Sequence, residues 1–285
     1  MTNSSFALEH IRRRQTNGLL YPFGVDLSYL DEQISGGHYA RKQLFSKSRL
    51  ISWSHRSRFE VGLQLAQEFA GKRILDYGSG DGSFLAMLMQ GPTPPAIAVG
   101  AELQRTVVEN CRARLGTRSG LSFVVNEELE TTEHLGAYDA VICMEVLEHV
   151  LEIKPLLEKF IELLAPSGKL IISVPVETGL PLLVKETVRR FAGWRGIGDY
   201  PGTTSYTVRE FATSLMANGK RQHLVRPIHK NADGSGSHDH KGFNWMLLRE
   251  MLAQMFEIER VVGSPVSWLT PHLASQVWFV ARKKA

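Results

Sequence analysis

Asp76, Gly78, Gly80, Gly82 and Glu102 form the densest group of chemistry-bearing residues in the chain: an acid ends a short apolar run, three alternate glycines follow, and a second acid stands twenty residues beyond the last of them. Glycine has no Cβ, so this turn can adopt positive φ and let its backbone come close to a ligand. The spacing narrows the ligand. A dinucleotide turn needs G-x-G-x-x-G or A with a pyrophosphate on the helix N-terminus, but here Ser83 takes the third position and Asp81 would repel the phosphates. No Gly-Lys-Ser or Gly-Lys-Thr follows, which excludes a Walker-type loop. What remains is a nucleoside without phosphates, whose own positive charges can sit near Asp76 and Asp81. Glu102 fits that ligand, since nucleoside-binding βαβ units place at this separation a carboxylate that accepts both ribose hydroxyls. S-adenosylmethionine, with its ammonium and sulfonium, meets these conditions.

A second group, Glu145, Glu148 and His149, stands at i, i+3 and i+4, which predicts one face at the start of a helix. Two carboxylates and an imidazole can take a divalent ion, which would lower the pKa of a bound hydroxyl. Without a metal, His149 is placed to act as a general base, with Glu145 beside it. A purely structural use, with the acids at a helix N-terminus, is also compatible with these residue types. Asn126 and Glu127, at the end of a predicted third strand, are positioned to reach an adenine amino group.

These residues need a frame, and the hydrophobic pattern supplies one. Helical spacing of Phe59, Leu63, Ala66 and Ala70 predicts a helix within 50–70. Strand and helix segments then alternate over 73–76, 83–90, 96–102, 104–115, 121–125, 138–144, 153–164 and 169–174, which implies an α/β fold with a doubly wound parallel sheet. Alternation stops for residues 176–240. It resumes with a helix over 243–256 and strands over 258–262 and 276–281. Residues 1–48 are read as an N-terminal helical extension, 49–285 as the main domain, and 176–240 as an insertion over the strand C-terminal edge, where such sheets bind ligands.

Tyr138-Asp-Ala-Val-Ile-Cys-Met-Glu-Val-Leu-Glu-His-Val150 and Leu163-Leu-Ala-Pro-Ser-Gly-Lys-Leu-Ile-Ile-Ser-Val-Pro175, together with the glycine turn, resemble the class I S-adenosylmethionine-dependent methyltransferases. Cys143 to His149 is most similar to the ubiquinone-biosynthesis O-methyltransferases. The resemblance implies a seven-stranded Rossmann-like sheet whose last strand is antiparallel. It implies cofactor contacts from Gly78, Glu102 and Met144, and from Arg58, with Arg56 as its rival, on the cofactor carboxylate. It further implies a divalent metal such as Mg on Glu145, Glu148 and His149, as in the enzymes that methylate the terminal 2′-hydroxyl of small RNAs. Gly236-Ser-His-Asp-His-Lys-Gly-Phe243 resembles a segment before the last helix of the ubiquinone enzymes, so His238 or His240 is a further candidate ligand. Met144-Glu-Val-Leu replaces the Asn- or Asp-Pro-Pro-aromatic motif of planar-nitrogen methyltransferases. That departure argues against base or amide nitrogen acceptors.

Composition sets the outer limits. With 285 residues and 43% hydrophobic content the chain can bury a full core. Two cysteines, Cys111 and Cys143, make neither a disulfide framework nor a ligand spacing. No apolar stretch reaches membrane-spanning length, and the expectation is a cytoplasmic protein. Leu180 to Val184 and Phe191 to Trp194 flank basic residues in a pattern compatible with peripheral membrane contact. The net charge of +4 is small, although Arg12–Arg14 and Arg41–Arg58 would suit nucleic acid. The functional expectation is methyl transfer to a hydroxyl of a small metabolite. An RNA 2′-O-methyltransferase and a non-catalytic adaptor of the same fold are the alternatives.

Overall fold

The computed structural model describes residues 32–44, 49–194, 204–231, 234–265 and 270–284. Most of the N-terminal extension, including Arg12–Arg14, therefore lies outside the described residues, as do 195–203 and 232–233 of the insertion. The chain divides into two compact units, residues 1–140 and 141–285. One seven-stranded sheet holds, in order, Leu121–Val125 (β3), Ile97–Glu102 (β2), Arg73–Tyr77 (β1), Tyr138–Met144 (β4), Leu164–Pro175 (β5), Gln276–Lys283 (β9) and Phe256–Ser264 (β8).

In the first unit a short helix α1 (Glu32–Ser35) precedes the long helix α2 (Arg49–Ala66). Then β1 (Arg73–Tyr77), α3 (Ser83–Gln90), β2 (Ile97–Glu102), α4 (Arg105–Leu115) and β3 (Leu121–Val125) follow in alternation. β1 pairs with β2 and β2 with β3, all parallel, so Asp76 stands beside Gly100 and Tyr77 beside Ala101. Ile74, Leu75, Ala98, Val99, Phe123 and Leu85 are buried. Continuous apolar strands of this kind are what a parallel sheet covered on both faces requires.

The second unit holds α5 (Ile153–Leu163), β5 (Leu164–Pro175), α6 (Gly179–Trp194), α7 (Val208–Leu215), the hairpin β6 (Ile228–Lys230) and β7 (Gly236–His238), then α8 (Trp245–Met255), β8 (Phe256–Ser264) and β9 (Gln276–Lys283). β9 runs antiparallel to both β5 and β8, which gives the reversed last strand. Leu157, Phe160 and Leu163 of α5 and Leu248 and Leu252 of α8 are buried, at helical spacing.

Two expectations are corrected. Residues 145–149 form a turn and not the start of a helix. Glu145 sits at φ 55, outside the helical region, and the single-turn bonds His149 N to Val146 O (2.8 Å) and Val150 N to Leu147 O (3.3 Å) do not propagate. β5 begins at Leu164 and not Lys169, but its pairing with β9 begins only at Lys169, opposite Arg282. The described residues of the insertion hold two helices and a hairpin. Pro181 is tolerated in the first turn of α6, where its missing N–H has no helical partner. Thr207 and Glu210 form a capping box at the head of α7.

Candidate active site

The glycine turn behaves as its sequence requires. Gly78, Gly80 and Gly82 have φ 77, 57 and 72. Gly78 N and Ser79 N donate to Ala101 O at 2.8 and 3.1 Å, tying the turn to the end of β2. A Cβ on Gly80 would meet no atom within 4 Å, so this backbone faces open space. Glu102 Oε1 accepts from Gly80 N at 2.8 Å and Oε2 from Leu103 N at 2.9 Å. Burial raises the pKa of Glu102 and these two amides oppose the shift. Each oxygen keeps a second lone pair for a sugar hydroxyl.

Asp76 is buried, and among the described residues neither carboxylate oxygen has a hydrogen-bond partner. Burial pushes its pKa up to about 8, and the charge of Glu102 adds to the rise. A buried carboxyl left in this state is costly unless a cation or donor meets it. Ser79 Oγ, buried nearby in the turn, is likewise unpartnered. Asp76, Ser79 and the open backbone of Gly80 together fit a compact cationic nucleoside.

Asp81, like Glu102, receives one backbone amide on each carboxylate oxygen. Its Oδ2 accepts from Ala40 N at 3.0 Å and its Oδ1 from Ser83 N at 3.1 Å. The acid thus anchors the described part of the N-terminal extension to the head of α3. Arg58 is buried on α2, where its guanidinium donates to Tyr39 Oη, lies 3.2 Å from His55 Nδ1 and stacks 5.5 Å from the Tyr39 ring. Arg56 Nε donates to Leu44 O at 3.0 Å. Tyr39 and His55 are neighbours of Arg58 that sequence reasoning missed. Asn126 Nδ2 donates to Tyr77 Oη at 3.1 Å, and Glu127 is exposed.

In the second unit Met144 is half-buried at the end of β4 and is followed by the turn. Glu145 N donates to Ser173 O at 2.9 Å. The Glu145 carboxylate accepts from Ser173 Oγ at 3.2 Å and Gln276 Nε2 at 3.3 Å. The group whose ligand atoms come together is therefore Glu148, His149 and His240, within 4.8 Å of one another among the described residues, and Glu145 does not join it. Glu148 is fully buried. His149 Nδ1 lies 2.9 Å from His238 O. A carbonyl only accepts, so Nδ1 carries the proton and Nε2 presents its lone pair, 3.9 Å from Glu148 Oε1.

Of the two candidate histidines of the 236–243 segment, His240 is the one that comes into this group. Its ring stands edge-on to His149 at 5.0 Å, and burial lowers its pKa. His238 turns Nδ1 to Pro227 O at 2.8 Å. Glu177 is fully buried beside Lys185 (2.8 Å) and Arg189 (3.4 Å). Burial alone would raise its pKa, but these cations and His240 reverse the direction and hold it low.

A family model described as a methyltransferase domain matches residues 52–219. The ubiquinone biosynthesis O-methyltransferase of Psychrobacter arcticus is 30% identical over 149 residues, covering 52% of this chain and 51% of that protein. The mitochondrial ubiquinone biosynthesis O-methyltransferase of Schizosaccharomyces pombe is 30% identical over 145 residues, covering 50% and 53%. The chain thus spans about half the length of these curated relatives. A solved structure from Pyrococcus horikoshii OT3 shares the fold, with TM-score 0.52 and 17% identity over 86% of this chain and 98% of that one. Among the described residues no helix is long and apolar enough to cross a membrane.

Proposed function

Because the chain belongs to the methyltransferase domain family, which implies S-adenosylmethionine as methyl donor, we propose that it transfers a methyl group from that donor to a hydroxyl of a small metabolite. The observation that carries this reading is Asp76: a buried carboxyl whose two oxygens have no partner among the described residues, beside an open glycine backbone. The donor's cationic end would neutralise it, Glu102 would hold the ribose, Asn126 and Glu127 the adenine, and Arg58 the donor carboxylate. Met144 would line the methyl. Residues 49–285 would make up the methyltransferase domain and 176–240 the acceptor-facing lid.

In the displacement the acceptor oxygen bonds to the methyl carbon while the S–C bond breaks, its electron pair staying on sulfur to give a neutral thioether. Alignment of nucleophile and methyl accounts for much of the rate. The hydroxyl proton must leave, and His149 Nε2 bears the lone pair to take it. Glu148, His149 and His240 are also a donor set that would hold a divalent ion, which would supply a lowered pKa for the acceptor hydroxyl. Two imidazoles and one carboxylate suit a transition ion better than the oxygen-seeking magnesium that the sequence suggested. Nε2 cannot serve as ligand and base at once. Turnover that survives a chelator selects the base.

The test is calorimetry with S-adenosylmethionine, S-adenosylhomocysteine and NAD, followed by labelled-methyl transfer to a panel of phenols, catechols and hydroxy acids with and without chelator. Donor binding with an oxygen-methylated product supports the reading. Donor binding with no acceptor labelled returns the chain to an adaptor role, and preference for NAD removes the donor site.

A further inference from the structure

The three ligand atoms of the Glu148, His149 and His240 group come from two distant stretches of chain, so something must fix their separation. The hairpin of the lid does part of this. Ile228 pairs with His238 and Lys230 with Gly236, which brings the chain just before β6 close to the chain just after β7. His238 N donates to His149 O at 3.0 Å while His149 Nδ1 donates to His238 O at 2.9 Å, a reciprocal pair joining the two stretches. Arg226 completes the junction. Its Nη2 donates to the carbonyl of Glu148 and, at 2.9 Å, to the carbonyl of Asp239, one residue before His240. Its guanidinium carbon stands 5.2 Å from the centre of the Phe243 ring, a cation–π contact.

We infer that Arg226 is a positioning residue for the three-ligand group, clamping the backbone of Glu148 to that of the segment bearing His240. The inference rests on the metal reading of that group. Both bonds leave one nitrogen, so what a lysine would lack is the longer reach of the arginine and its contact with Phe243, which together hold that nitrogen between the two carbonyls. Removing it leaves the carbonyls of Glu148 and Asp239 without this donor and frees the two stretches to drift apart. A ligand set is sensitive to such drift, because outer groups that orient ligands typically change metal affinity about 10- to 100-fold.

Wild type, Arg226→Lys and Arg226→Met are titrated with Co²⁺, read by the visible d–d absorption, and with S-adenosylhomocysteine, read by calorimetry. The expected result is a Co²⁺ affinity about 10- to 100-fold weaker in Arg226→Met, an altered d–d band in both variants, and unchanged nucleoside affinity. Should Arg226→Met fail to fold, Arg226→Lys carries the comparison. Variants that match wild type in Co²⁺ affinity and spectrum overturn the clamp alone. Parallel loss of nucleoside binding also overturns it, since Arg226 would then be a general prop. A wild type that takes up no Co²⁺ sinks the metal reading itself, and the clamp with it.

Discussion

At Asp76 the cost of the site can be read in a titration. Burial raises its pKa to about 8, so between about pH 4 and 8 the folded chain keeps a proton that the unfolded chain, with an ordinary aspartate near 3.9, has released. The raised folded pKa means that this stabilising contribution is complete below about pH 4 and declines as pH rises to about 8. Asp76→Asn should therefore melt higher than wild type at pH 8, by about 1 kcal/mol or more, with the difference shrinking toward pH 4. The same variant should bind S-adenosylhomocysteine more weakly by roughly 2 kcal/mol, the worth of a charged hydrogen bond. Melting curves over that pH range together with calorimetry check both. A variant that binds normally takes Asp76 out of the site. For His149 the split runs the other way: His149→Ala should lower kcat at least about 100-fold while donor affinity stays within twofold, as loss of a proton acceptor or of a ligand would. Single-turnover methyl transfer at saturating donor measures it, and an undiminished rate makes the residue structural.

Between β1 and α3 two glycines at similar φ should respond differently to the same methyl group. A Cβ on Gly82 would lie 2.7 Å from the Phe123 ring and 2.9 Å from Leu115, whereas one on Gly80 would touch nothing. Both pay the left-handed backbone cost of about 1 to 2 kcal/mol, and Gly82→Ala adds overpacking of about 1 to 3 kcal/mol. Urea melts should thus rank Gly82→Ala below Gly80→Ala, while Gly80→Ala should lose nucleoside affinity despite its smaller stability defect. The reverse ranking would mean that the turn packs otherwise. This element was legible because its signals are local: three glycines, an acid at a strand end and an apolar run on either side. β3 and β4 keep their expected ends for the same reason. The stretch 145–149 was not, because a five-residue i, i+3, i+4 pattern cannot tell a helix from two successive turns, and only the φ of Glu145 decides. The head of α7 was written in Thr207 and Glu210 as a capping box, a signal the sequence reading passed over. β6 and β7 left none, since their residues are all exposed or half-buried and show no alternation.

Across the whole chain, what the sequence could not show are partners distant along it: His240 meeting Glu148 and His149, Tyr39 meeting Arg58, Gln276 meeting Glu145. Local periodicity carries no information on such pairings, so the composition of the ligand group had to wait for the fold. Net charge is the other whole-chain quantity, and it bears on which acceptor the enzyme could take. An excess of +4 would favour RNA only if the cations were free to displace counterions from phosphates. Many are engaged internally: Lys185 and Arg189 with Glu177, Lys169 and Arg282 with Glu259, Arg112 with Glu128, and Lys241 with Glu210. Within the basic stretch 41–58, Arg56 and Arg58 are turned to Leu44 and Tyr39. The full chain, its N-terminal arginines included, should therefore bind a single-stranded RNA weakly, with a log–log salt slope shallower than about −2. Fluorescence anisotropy with a labelled RNA between low and physiological salt measures that slope. A value steeper than about −4 would require several phosphate contacts at once, and would shift the acceptor from a small hydroxylated metabolite to the 2′-hydroxyl of RNA, with the same His149 lone pair taking the proton.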